Sequence, residues 1–151
     1  VAGQLELTHH IGFTGTRQGM TPTQRAAVRE LLAAHPGAVL HHGDAIGADA
    51  QAHDIAIALR CSVVVHPPTD GKDRAFKPSP DIRAPRPYLD RNRDIVRETT
   101  MLIAVPAEAV EQHRSGTWST VRYARKLGRP ISIVLPDGSI SEWVAPGKAR
   151  P

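Results

Sequence analysis

Cys61-Ser62-Val63-Val64-Val65-His66 is the stretch that decides the fold. A short run with three consecutive valines, followed by Pro67-Pro68, suits a strand better than a helix. An unbroken β-branched run, with no polar alternation, is what a strand covered on both faces needs. Such strands belong to parallel sheets flanked by helices. The sequence on either side agrees. Upstream, Ala48 to Arg60 reads as a helix whose buried stripe is Ala52, Ile55, Ala56 and Leu59. Before it, Ala38 to His41 reads as a strand that Gly43 ends. An earlier helix opens at Thr21-Pro22, a cap followed by proline at the first helical position, and stops at His35-Pro36-Gly37. The pattern begins with a strand from His10 to Thr14, closed by Gly15.

Downstream, Pro67 to Pro87 is proline-rich, shows no period, and reads as a long functional or mobile loop. Leu89 to Glu98 is then a helix and Met101 to Val105 a strand. Gly116 to Leu127 is a helix, and Ile131 to Leu135 a fifth strand. From Pro136 onward the sequence reads as a turn-rich tail. Alternation of this kind predicts an α/β fold, a Rossmann-like, doubly wound, parallel five-stranded sheet. The expected organisation is one domain over 1–151, with its core at about 9–135 and a tail over 136–151.

The 151 residues include 40% hydrophobic and 23% charged side chains, which is globular rather than disordered composition. No apolar run is long enough to span a bilayer, and no leader pattern opens the sequence. The lone Cys61 suits a reducing compartment, so a cytoplasmic protein is expected. The net charge of +4, carried mainly by arginines, favours anionic partners.

In such sheets ligands bind where the carboxyl ends of the strands meet a reversal of strand order. Four segments leave strands there. Gly15, Thr16 and Arg17 offer close backbone approach, a hydroxyl and a cation. Gly43 to Asp49 presents two glycines, Gly43 and Gly47, around a turn into a helix whose amides face an anion. Asp44 in that turn is a candidate ribose ligand or base. Asp49, in the first helical turn, is a candidate carboxylate that equally suits a structural cap. Arg91 and Asn92 put a cation into a first turn, against the helix dipole. Placed there, Arg91 is expected at the surface, serving ligand affinity and little else. Ser115, Gly116 and Thr117 supply two hydroxyls and free amides at a helix start. The paired histidines along the chain lack metal-site spacing and read as packing or surface residues, with no metal and no cofactor expected.

These motifs, in this order, resemble the SLOG superfamily (SMF/DprA–LOG), and within it the small YspA-like domains. Gly15-Thr16-Arg17 is similar to its opening glycine-small-arginine motif. Gly43 to Asp49 with Ala52-His53 resembles the corresponding stretch of DNA-processing protein A. Arg91-Asn92-Arg93 resembles the Arg-Asn motif, and Ser115-Gly116-Thr117 the Gly-Thr signature. The resemblance implies a Rossmann-like fold, strand order 3-2-1-4-5 and a nucleotide-type ligand. It also implies two alternatives: N-glycosidic cleavage of nucleoside monophosphates, as in the LOG branch, and single-stranded nucleic-acid binding. Where the LOG signature has its glutamate this chain has Thr120, which speaks against the first. Scattered aromatics speak against the second. A homo-oligomer is compatible with all of these.

Overall fold

The computed structural model describes residues 8–147. Eleven elements follow in order. They are β1 (His10–Gly15), α1 (Pro22–Ala33), β2 (Val39–His42), α2 (Ala48–Ala58), β3 (Ser62–Val65), β4 (Asp81–Ile82), α3 (Tyr88–Arg97), β5 (Met101–Val105), α4 (Gly116–Lys126), β6 (Ile131–Val134) and β7 (Ile140–Trp143). They form one sheet in the order β4-β3-β2-β1-β5-β6-β7. All neighbours are parallel except β6 and β7.

The sequence-level core order holds: the five expected strands are the inner five, in the expected sequence. The sheet nevertheless has seven strands, not five. The sixth is β4, inside the proline-rich stretch, where Asp81 and Ile82 pair with Val64 and Val65. A two-residue edge strand carries no readable period. The seventh is β7, so 136–147 is not a tail. Chain reversal at Pro136 to Ser139 uses Gly138 at φ 87°, a left-handed conformation that glycine adopts without strain. Ile140 to Trp143 then runs back along β6.

The period of two along the inner strands sorts side chains onto two helical layers. Ile11, Phe13, Leu40 and Ile103 pack with α1 and α2, through Val28, Leu32, Ala52 and Ala56. Leu102, Ala104 and Ile131 face the other way, onto Val96 of α3 and Trp118, Val121 and Ala124 of α4. The helix α1 starts as its sequence requires: Thr21 and Gln24 form a reciprocal capping box ahead of Pro22. Among the described residues no helix is long and apolar enough to cross a membrane.

The order of strands reverses between β1 and β5, which are adjacent in the sheet though far apart in the chain. The loops after these two strands therefore diverge and leave a crevice between them. That crevice is the candidate site.

Candidate functional site

A cleft of about 340 Å³ opens at the carboxyl ends of β1 and β5. From the loop after β1 come Gly15, Thr16 and Arg17. From the loop after β2 come Gly43 and Asp49, and from the first turns of α3 come Arg91 and Asn92. Ser115, Gly116 and Thr117 line it from the start of α4. Ten of the residues singled out from sequence thus share one cavity, and two, Asp44 and Gly47, do not line it.

The start of α4 presents unpaired donors to the cavity. First-turn amides have no intrahelical acceptor. Ser115 Oγ accepts from Trp118 N at 3.2 Å as the N-cap, which leaves the amides of Gly116 and Thr117. Arg114, which the sequence reading passed over, lines the same wall and has no acidic partner among the described residues. It stands directly before the Ser115 motif, and that adjacency was the available signal. Arg17 is partly engaged: its Nη1 donates to Asp73 Oδ2 at 2.7 Å, with more than half of its side chain still exposed. Thr16 is a backbone tie whose hydroxyl keeps its own proton to donate. Its amide reaches Val105 O at 3.0 Å, its carbonyl accepts Ala48 N at 2.9 Å, and its hydroxyl accepts Gln18 N.

Gly47 serves the same tie. Its φ is 87°, and a Cβ there would run into the carbonyl of Arg17, so only glycine lets α2 start against the β1 loop. Its role in this geometry is packing behind the cleft.

Asp44 is turned away from the cavity. It is fully buried; its Oδ2 accepts from Arg74 Nε at 2.8 Å and its Oδ1 from Lys77 N at 2.9 Å. Its carbonyl accepts Ala75 N, and Ile46 N reaches Asp73 O. The proline-rich segment is therefore pinned onto the β2–α2 loop beside the cleft. It carries Pro68, Thr69, Asp70, Lys72 and Asp73 into an adjoining lobe of about 310 Å³ that shares Arg17, Tyr88 and Arg91 with the first.

Arg91 also departs from expectation: it is only 4% exposed. Its Nη1 donates to the carbonyl of Gly43 and, at 3.0 Å, to that of His66; its Nε donates to Asn92 Oδ1 at 2.9 Å. The guanidinium lies under the ring of Tyr88, 4.9 Å from its centroid. Gly43 is glycine for this reason, since a Cβ would come within 2.5 Å of Nη1. Arg91 is thus a buried strut that joins α3 to the ends of β2 and β3, with one surface toward the cleft. Burial lowers its pKa from the usual arginine value, and the negative charge of Asp49 opposes that shift.

Asp49 is 6% exposed. Its Oδ2 accepts from Gly43 N and Ala45 N, both at 3.2 Å, while its Oδ1 is buried with no partner. Burial pushes its pKa up to about 6, against the pull of Arg91 and the two amides.

The histidines form a feature the sequence did not suggest. His10 Nδ1 lies 2.9 Å from His41 Nε2, and His41 Nδ1 lies 2.9 Å from His66 Nε2, on the α3 side of the sheet. His66 Nδ1 faces Glu98 Oε2 at 4.0 Å, and Glu98 Oε1 accepts from Arg83 at 2.8 Å. His42, on the opposite face, pairs with His53 of α2 at 2.9 Å. His41, His66 and Glu98 have potential metal-ligand atoms within 4.8 Å of one another. In this arrangement the imidazoles are committed to each other and Glu98 to Arg83.

No family model matches the chain, and no curated protein matches it. Solved structures do. The molybdenum cofactor binding protein from the phototrophic bacterium Rippkaea orientalis superposes with a TM-score of 0.67 at 21% identity, over 85% of this chain and 77% of its own. The molybdenum cofactor carrier protein from Chlamydomonas reinhardtii gives 0.60 at 19% identity, over 84% and 76%. DNA processing protein A from Helicobacter pylori, described for its single-stranded DNA binding mode, gives 0.58 at 21%, over 83% of this chain and 64% of its own. In fold, this chain is similar to these proteins, a mostly parallel α/β sheet with helices on both faces.

Proposed function

We propose that the cleft binds a small phosphate-bearing molecule of nucleotide type. The observation that carries this reading is the convergence on one cavity of the α4 amides of Gly116 and Thr117 with the cations Arg114 and Arg17. Helix amides and a guanidinium fork both match a phosphate; among the described residues Arg114 and the two amides have no internal partner, and Arg17 is paired with Asp73 through Nη1 alone. The adjoining lobe, walled by Pro68 and Tyr88, gives the remainder of such a ligand a less polar surface. Size agrees, because small-molecule sites span roughly 300–1,000 Å³. Two of the similar structures are named for the molybdenum cofactor and one for single-stranded DNA, ligands that have phosphate in common.

A glycosidase of the LOG kind needs a carboxylate where this chain has Thr120. That side chain is buried, and its Oγ1 donates to Gly116 O at 3.0 Å within the helix. Of the two carboxylates nominated from sequence only Asp49 lines the cleft. Binding without cleavage is therefore the reading we adopt. Calorimetric titration with adenosine monophosphate, with the mixture assayed for free adenine, tests it. Saturable binding and intact nucleotide are expected. No binding up to millimolar nucleotide or inorganic phosphate sinks the reading, and release of adenine replaces it with the hydrolase.

A further inference from the structure

We propose that the cleft takes up its oxyanion together with one proton, and that Asp49 receives it. This rests on the reading of the cleft as an oxyanion site and adds a residue that sets the charge state it accepts. An ionised carboxylate is acceptor-only and needs donors on both oxygens when buried. Asp49 has donors on Oδ2 alone, from Gly43 N and Ala45 N. Among the described residues its Oδ1 is enclosed without a hydrogen-bond partner, and the residue lines the same cavity as the α4 amides. Without ligand, the compensating charge is Arg91, whose Nη1 is already shared between the carbonyls of Gly43 and His66. A dianion arriving in this cavity draws on Arg91 and adds a like charge beside Asp49. Two negative groups in one enclosed site are relieved by neutralising one of them.

The surroundings single out Asp49. On its own loop, Asp44 is fully paired with Arg74 and Lys77 N. From the β1 loop comes Arg17, paired with Asp73. From α3 come Arg91 and Tyr88. From the segment before α4 come Arg114 and Glu108, the latter accepting from Trp118 Nε1 at 3.2 Å. Beneath lie His42 and His53, both pushed toward the neutral form by burial. Burial already holds Asp49 at about 6, so near neutral pH a negative charge added beside it favours its protonated form.

Sulfate is the probe, because its own charge is constant from pH 5 to 9. Its binding is titrated at pH 7.2 in bis-Tris and in Tris, which differ in ionisation enthalpy, and again across pH 6–8 at fixed ionic strength. The expected result is a heat that differs between buffers, equivalent to uptake of about half to one proton. Affinity should weaken by up to about tenfold per pH unit above 6, the limit for one linked proton. In Asp49→Asn, which keeps an acceptor for the two amides and puts an uncharged donor at the Oδ1 position, heat and affinity should not vary with buffer or pH. Equal heats in the wild-type protein, or uptake that persists in Asp49→Asn, overturn the proposal while leaving the anion site intact. If the variant does not fold, the wild-type heats and pH profile decide alone. Absence of sulfate binding overturns the oxyanion reading and this proposal with it.

Discussion

Asp44 and Asp49 are five residues apart, both buried, both at the carboxyl edge of the sheet, and they belong to corners built in opposite ways. Around Asp44 every polar group has found a partner: Arg74, Lys77 N, and the backbone ties that pin the proline-rich wall. Arg91 extends that corner by holding two carbonyls at once. Around Asp49 and the start of α4, hydrogen-bonding capacity is left over. Among the described residues, Asp49 Oδ1 has no hydrogen-bond partner, the amides of Gly116 and Thr117 lack acceptors, and Arg114 lacks an acid. The lesson is physical. A polar residue in a loop at the right edge of a sheet marks a ligand contact only if its capacity is not spent inside the protein, since buried polar groups otherwise complete themselves.

The contrast can be broken at the satisfied corner first. Arg91→Ala should cost about 3–5 kcal/mol of stability in urea denaturation, because it strands two buried carbonyls and leaves Asp49 without its counter-charge. A loss below about 1 kcal/mol would make Arg91 the surface ligand residue that its sequence position suggested. Asp44→Asn should cost about 2 kcal/mol, since its amide nitrogen opposes Arg74 Nε donor to donor. It should also expose the 69–77 wall to limited proteolysis. At the open corner the pattern inverts. Arg114→Ala should leave stability within about 0.5 kcal/mol while weakening adenosine monophosphate binding about tenfold in calorimetry. If Arg114→Ala instead lowers the melting temperature and spares affinity, the two corners are not different in kind.

The inner sheet was legible because its signals are local. Val63 to Val65, the capping residues Thr21 and Pro22, and Gly128 before Pro130 each act within a few residues. What escaped was either too short or too distant. The Asp81–Ile82 strand has no period at two residues. The β7 hairpin carries a local signal in Asp137-Gly138 after the β-branched Ile131 to Val134, but Ile140-Ser141-Glu142-Trp143 has too little β-branched character to mark a strand. Ten of the chosen site residues share the cleft because the β1 and β5 loops must open where strand order reverses. Asp44 and Arg91 were misjudged because their partners, Arg74, Lys77 and His66, lie 25 to 33 residues away. No periodicity reports a contact at that range.

The row of imidazoles from His10 to His66 carries a consequence of its own. A neutral imidazole has one N–H, so fixing the tautomer of one ring in a hydrogen-bonded row fixes all of them. Glu98 beside His66 Nδ1 favours the proton on that nitrogen. His66 Nε2 then accepts from His41 Nδ1–H, and His41 Nε2 from His10 Nδ1–H. The next residue along β2 is locked the other way, because His42 Nδ1 accepts Asp44 N at 2.9 Å and its proton must sit on Nε2, toward His53. Adjacent histidines held in opposite tautomers give distinct ring nitrogen shifts and slowly exchanging ring N–H signals. Both stay neutral down to about pH 3, whereas an unfolded histidine protonates near 6.5. The unfolded chain therefore binds the extra protons, and their contribution to stability is complete above about pH 6.5 and lost as pH falls toward 3. The two ring signals should vanish together with the fold, not before it.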